Sequence, residues 1–286
     1  MFDKIGRSWA LAAQCLKVLR EDPALMVFPL ISTAALFVLL ASFAAPVWVV
    51  AHHLDPLQTQ YSTTHTARLL YYVMLGAFYL ITYAVMMFFN TAMIAVALRR
   101  LDGEDASIAE GLQLAWANVS AIVAYAVIAA SIGALLRAIE ERVGFIGRIV
   151  VGFIGAGWTI ASSMTLPVLV VENVGPVEAI SRSLELMKRN WGENIVGTGG
   201  IGLAVAVIAV PTVIPAYILM KSAFATKQWS NIIPALALMA AVLLVIGVVR
   251  TTLHAIYTAA LYRFATGAKD NHGIDEGLLA GAFTPK

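Results

Sequence analysis

Apolar positions along this chain gather into six long runs, near Ala24–Ala51, Ala67–Leu98, Val119–Leu136, Ile149–Val171, Ile195–Met220 and Ile232–Tyr262. Each reaches the roughly 18–20 residues that a helix needs to cross hydrocarbon. Before the first, third and fifth runs the pattern changes to an apolar stripe at spacings of three and four, the period of a helix with one wet face. Ile5, Trp9, Ala12, Leu16 and Leu19 form the first stripe. Ile108, Leu112, Ala115 and Val119 form the second, where Ser107 and Glu110 stand at the spacing of a capping box. Ile180, Leu184, Met187 and Trp191 form the third. Opposite them lie Glu178, Arg182, Glu185 and Arg189, two Glu-first i,i+4 pairs worth roughly 0.2–0.5 kcal/mol each.

An amphipathic segment followed by two spans therefore occurs three times. Leu16, Val18 and Asp22 align with Leu112, Leu114 and Asn118, and again with Leu184, Leu186 and Asn190. The first unit closes on Ala97-Leu98-Arg99-Arg100-Leu101 and the third on Ala260-Leu261-Tyr262-Arg263-Phe264, whereas the middle one ends Val170-Val171-Glu172. Units that begin and end on one side of a membrane are parallel repeats. The expected fold is all-α: a polytopic membrane protein with six transmembrane helices in three parallel hairpin repeats, each preceded by a cytoplasmic amphipathic helix. One membrane domain then covers residues 1–266 (repeats about 1–101, 102–173 and 174–266), and 267–286 form a flexible cytoplasmic tail.

Composition agrees with that environment: 60% of the 286 residues are apolar and 13% charged, with a mean hydropathy of +0.83. A formal charge of +2 gives no argument for nucleic acid, and the lone Cys15 excludes an intrachain disulfide. An apolar first run this long, behind a charged segment, reads as an uncleaved anchor rather than a signal peptide. With the N-terminus inside, twelve Lys and Arg fall on the cytoplasmic side and six on the other. The positive-inside rule then puts both termini in the cytoplasm of an inner-membrane protein, although Arg137, Arg142 and Arg148 crowd one outer loop.

Polar residues within the runs are the candidates for function. Arg250 stands near the middle of the sixth run with His254 one turn on, and a charge at that depth costs roughly 2.5–3.5 kcal/mol. It is expected to face another helix and find a partner there. Asn90, Thr91, Ser162 and Ser163 fall at a similar depth in the repeat alignment. They read as a polar layer, more simply as interhelical hydrogen-bond glue. Pro211 and Pro215 mark a candidate helix break in the fifth run, with a kink as the plainer reading. Gly144, Gly147, Gly152, Gly155 and Gly157 give the fourth run close-packing faces and predict that it is the most enclosed helix.

Other constellations carry less. His52, His53, Asp55 and His65 of the first outer loop lack any familiar zinc spacing. Gly199-Gly200-Ile201-Gly202 follows no strand and is packing material. Glu140 and Glu141 sit among arginines that can pair with them. No nucleophile–base pair, metal site or cofactor motif is present in the sequence, so no enzyme activity and no cofactor are expected. Membrane lipids are the expected partners, then other membrane proteins; a homo-oligomer is open.

From Arg100 to Gly202 the chain resembles an uncharacterised family of bacterial integral membrane proteins. The resemblance is carried by Gly103-Glu104-Asp105, Ile139-Glu140-Glu141-Arg142, Trp158, Pro167 through Glu172, and Lys188-Arg189-Asn190-Trp191-Gly192-Glu193, with the tail Phe283-Thr284-Pro285-Lys286. More remotely, the helix-plus-hairpin units are similar to membrane domains fused to glycerophosphodiester phosphodiesterases, without the phosphodiesterase itself. The resemblance implies membrane residence and a bacterial source. It supplies no catalytic residue. The function expected is that of a structural or accessory factor of the cytoplasmic membrane; the alternative is a small transporter or channel for a lipid or small solute.

Overall fold

A computed structural model describes residues 13–53, 64–189, 191–226 and 229–267. The described residues are helical throughout, with no strand among them. Residues 13–21 form α1, and a 3-10 turn over Pro23–Met26 leads into α2 (Val27–His53). There follow α3 (Thr64–Leu101), α4 (Ile108–Ala117), α5 (Val119–Glu140), α6 (Phe145–Ser162), α7 (Thr165–Val171), α8 (Pro176–Arg189), α9 (Trp191–Thr226) and α10 (Trp229–Ala265). Six helical stretches are long and apolar enough to cross a bilayer: Pro23–Ala44, Tyr72–Leu101, Val119–Glu140, Phe145–Val171, Val205–Ala225 and Ser230–Ala265. The chain is a multi-pass membrane protein.

Short-range chemistry sets the boundaries. The Asp22 carboxylate accepts from the Ala24 N–H at 3.2 Å and starts the turn into α2. Gly103, at φ 78°, ends α3 in the left-handed region, where the Glu104 N–H reaches back to the Arg99 carbonyl at 3.0 Å. Ser107 and Glu110 make the expected capping box: the Glu110 N–H donates to Ser107 Oγ at 3.2 Å and the Ser107 N–H to Glu110 Oε2 at 3.0 Å.

Consecutive long helices pack as neighbours, α2 on α3, α5 on α6 and α9 on α10, while α3 and α10 also pack on each other. The core is gathered at one end of the bundle. There every residue from Thr91 to Leu98 is buried, as are Ala255 to Arg263. Cys15 and Leu19 of α1, Phe28 of α2, Val168 of α7 and Met187 of α8 close around them. Burial at this packed end pushes the Cys15 thiol up to about 12. At the other end the helices present apolar side chains outward, as a lipid-facing surface must.

Three expectations are corrected. The fourth span is not the most enclosed: on α6, Phe145 is 79% and Phe153 75% exposed, and a Cβ added at Gly152 or Gly157 would meet nothing within 4 Å. Small residues permit close approach without demanding it. Second, α9 runs through Pro211 and Pro215 as one helix, in which the Thr212 hydroxyl donates to the Ala209 carbonyl at 2.9 Å. The interruption falls instead in the fourth span, between α6 and α7, where the Met164 N–H is capped by Ser183 Oγ of α8 at 3.0 Å. Third, α8 buries Ala179, Ser183, Leu186 and Met187 and leaves Leu184 exposed, so its inner face lies one residue round from the predicted stripe. The α7 cap at Ser183 turns that face inward. The outer-loop Asp55, the first-stripe residues up to Ala12 and the tail from 268 lie outside the described residues, as do the side chains of Trp191 and Arg189.

Candidate functional site

The polar residues singled out in the spans do not form one ring. Ser162 and Ser163 spend their hydroxyls on their own helix, donating to the Thr159 and Ile160 carbonyls at 3.3 and 2.8 Å. Tyr125 of α5 sets its hydroxyl against Ser162 and Thr165, so this junction ties α5 to the α6–α7 break. Thr91 is fully buried in the α3 core. Asn90, half-buried, lines a crevice between α2, α3 and α10. The printed serine bonds are local to their own helix, and Asn90 faces a crevice instead.

Arg250 is the main departure. It was expected to be enclosed against another helix, yet both it and His254 are exposed on α10. Length explains this. A 37-residue helix is about 55 Å long, well beyond the roughly 30 Å of hydrocarbon, so a charge within it can lie at a boundary. The exposed large apolar side chains of α10 run from Ile233 to Val245 and stop there. Beyond His254 the helix is enclosed by protein up to Arg263. His254 is held to its own helix, with Thr258 Oγ1 3.5 Å from Nδ1 and donating to the His254 carbonyl at 2.8 Å.

The crevice has a cavity volume of about 320 Å³. Ser32 and Thr33 of α2, Phe89 and Asn90 of α3, and Gly247 and Thr251 of α10 are among its lining residues. Small side chains hold it open: Thr33 Oγ1 donates back to the Pro29 carbonyl at 2.7 Å, and a Cβ at Gly247 would meet nothing within 4 Å. A second, smaller hollow of about 190 Å³ lies between Gly157 and Ile160 of α6 and Leu184, Met187 and Lys188 of α8. Among the described residues no group of three or more His, Cys, Asp or Glu is placed to hold a metal ion.

A charged layer crosses the packed end, and the sequence reading did not foresee it. Arg100 pairs with Asp22 at 2.9 Å and with Asp105 at 2.6 Å, and donates to the Ala106 carbonyl at 3.0 Å. Its neighbour Arg99 reaches Glu110 of α4 at 3.5 Å. Arg263, at the end of α10, pairs with Asp102, just beyond α3. Arg182 of α8 takes Glu172 at 3.4 Å and Glu185 at 2.9 Å, rather than the predicted Glu178, and Tyr262 donates to Glu172 at 3.3 Å. The two carboxylates, Glu185 foremost, hold the Arg182 guanidinium protonated even above its usual range. The ends of α3, α7 and α10, the starts of α2 and α4 and the middle of α8 are thereby joined. The arginines in Ala-Leu-Arg-Arg-Leu and Ala-Leu-Tyr-Arg-Phe, with Asp22, Asp102 and Asp105 nearby, were the available signal.

The family of unknown function DUF6159 matches residues 69–272, from the start of the second span to beyond the end of α10. No curated protein and no solved structure matches the chain.

Proposed function

The chain belongs to the DUF6159 family, and since that family comes with no reaction, we propose on the geometry that it is a structural or accessory factor of the cytoplasmic membrane. The packed end lies in the cytoplasm with both termini, where the larger share of Lys and Arg falls. There α1, α4 and α8 form an interfacial collar around the inner ends of α3 and α10. Trp116, 70% exposed at the end of α4, sits where an aromatic belt belongs. Three hairpin repeats account for the arrangement, each delivering one collar helix.

One observation carries this reading: three arginines of the packed end are spent on carboxylates that tie its elements together. Arg100, Arg182 and Arg263 each hold a carboxylate from another element. Charges used to tie helices together are not available to a translocated solute. A second reading, a transporter or channel for a lipid or small solute, is favoured by the crevice with Asn90 and Thr251. Reconstitution separates the two. Vesicles containing the purified protein should release trapped small solutes, and flip labelled lipid, no faster than empty vesicles. Flux or flipping that rises with protein density would replace the scaffold with the transporter.

A further inference from the structure

Arg250 is an exposed cation on α10, just past the last exposed large apolar side chain, with no ion pair or hydrogen bond among the described residues. From Ile246 to Leu253, the turns either side of it, α10 carries no acidic residue. An unpaired charge beside hydrocarbon is costly and recruits an anion or water. Its position says which. Gly247 precedes it by three residues and Thr251 adjoins it, so Arg250 flanks the stretch of α10 that lines the crevice. A helical side chain covers the turn N-terminal to its own Cα, which here is the turn of Gly247, where space is open.

Three helices agree on the depth. On α10 the exposed large apolar side chains stop at Val245; on α3 they stop at Met86, four residues before Asn90; on α2 they begin at Leu30, beside Pro29 of the crevice. The lipid-facing band therefore ends where the crevice meets the packed end, and Arg250 stands at that edge. Band edge, cation and slot coincide.

We infer that the crevice between α2, α3 and α10 binds an anionic phospholipid of the leaflet on the packed side. The phosphate lies on Arg250, with His254 beside it, and one acyl chain lies in the crevice against Phe89 and Gly247. Asn90 and Thr251 offer hydrogen bonds to the glycerol ester region, on a lining that also carries Ser32 and Thr33. A guanidinium suits a phosphate because it donates through a fixed planar fork and sheds water readily. The inference rests on the membrane residence in the reading above but not on the scaffold role: flux in vesicles would overturn the latter and leave this site standing.

The test uses the full chain purified in mild detergent, with bound lipid read by native mass spectrometry. Phosphatidylglycerol and phosphatidylcholine of identical chains are the probes, and inorganic phosphate the competitor. Phosphatidylglycerol is expected to be retained over phosphatidylcholine. Arg250→Met should lower that retention about tenfold, the loss of one charge-assisted contact, while Arg250→Lys, which keeps the charge and loses the fork, should lower it less. Gly247→Leu, which fills the crevice and leaves the cation, should lower retention of both lipids. Inorganic phosphate should not displace the lipid, because the chain contacts are absent from it. Equal retention of the two lipids, retention unchanged in Arg250→Met, or displacement by inorganic phosphate would each overturn the inference. Exposed Arg250 and open Gly247 make both variants compatible with folding, and an unchanged thermal midpoint without added lipid verifies that.

Discussion

Two glycines on helices of this molecule have opposite surroundings. Gly111 of α4 lies at the packed end, where a Cβ would come within 2.5 Å of Val96 Cγ2, 2.8 Å of the Ala92 carbonyl oxygen and 3.1 Å of the Phe28 ring. Gly152 of α6 lies on the lipid-facing surface, where a Cβ would meet nothing within 4 Å. Gly111 sits in an amphipathic segment and Gly152 in an apolar span, so hydropathy marks the second as the enclosed one. At the packed end, protein surrounds each helix and shape decides which side chain fits. Along α6 the surroundings are left to lipid, which accommodates any apolar shape.

The contrast is broken most directly at Gly111. In Gly111→Ala the added methyl meets backbone of α3 as well as the Val96 side chain, and helix backbone does not yield cheaply. Overpacking of this kind costs about 1–3 kcal/mol, against at most about 1 kcal/mol gained from helix propensity. A net destabilisation of about 2 kcal/mol is expected in reversible unfolding from mixed micelles. A neutral result would mean that α4 sits farther from α3 than described, and that the packed end is no tighter than the rest.

A smaller effect is expected from the charged layer. Arg263 is nearly buried, its side chain 10% exposed, whereas Asp102 is half exposed. Asp102→Asn keeps the shape and removes the countercharge. Breaking a fully buried pair costs about 3–5 kcal/mol, but water near Asp102 softens the loss to about 1–2 kcal/mol. The double variant Asp102→Asn, Arg263→Met should recover part of it, because the nearly buried charge is removed together with its countercharge. Single-variant costs that simply add in the double variant would show that the two side chains act apart.

What the sequence disclosed follows the same division. The six spans were legible because a bilayer sets helix length without reference to tertiary contacts. The Ser107–Glu110 box was legible because its partners are three residues apart. The inner face of α8 was not: the break at Met164, nineteen residues away, claims Ser183 as its cap and turns the helix. Nor was the enclosure of α6, since an apolar face suits lipid and protein equally. Arg250 was misjudged for a related reason. Its distance along the run was counted from the run's ends, but α10 continues past the lipid-facing band into the core formed with α3 and α8. Depth depends on where other helices begin to cover it.

The least effect is expected at Gly152, and it tests the other half of the comparison. Gly152→Ala adds a methyl into open space on α6 and replaces a flexible residue in a helix, so stability should stay within about 0.5 kcal/mol of the parent, on the stabilising side. The same small-residue face, with Ala156 one turn on, is also what a second copy would need in order to approach closely. The two states predict different behaviour in one measurement. If α6 faces lipid, the mass of the detergent-solubilised particle and its unfolding midpoint are the same for Gly152→Ala and Gly152→Ile. If it faces another α6, the isoleucine splits the particle and the midpoint becomes dependent on protein concentration, as stability linked to association must be. An unchanged particle would leave the packed end as the part of this chain whose side-chain shapes are set by other protein groups.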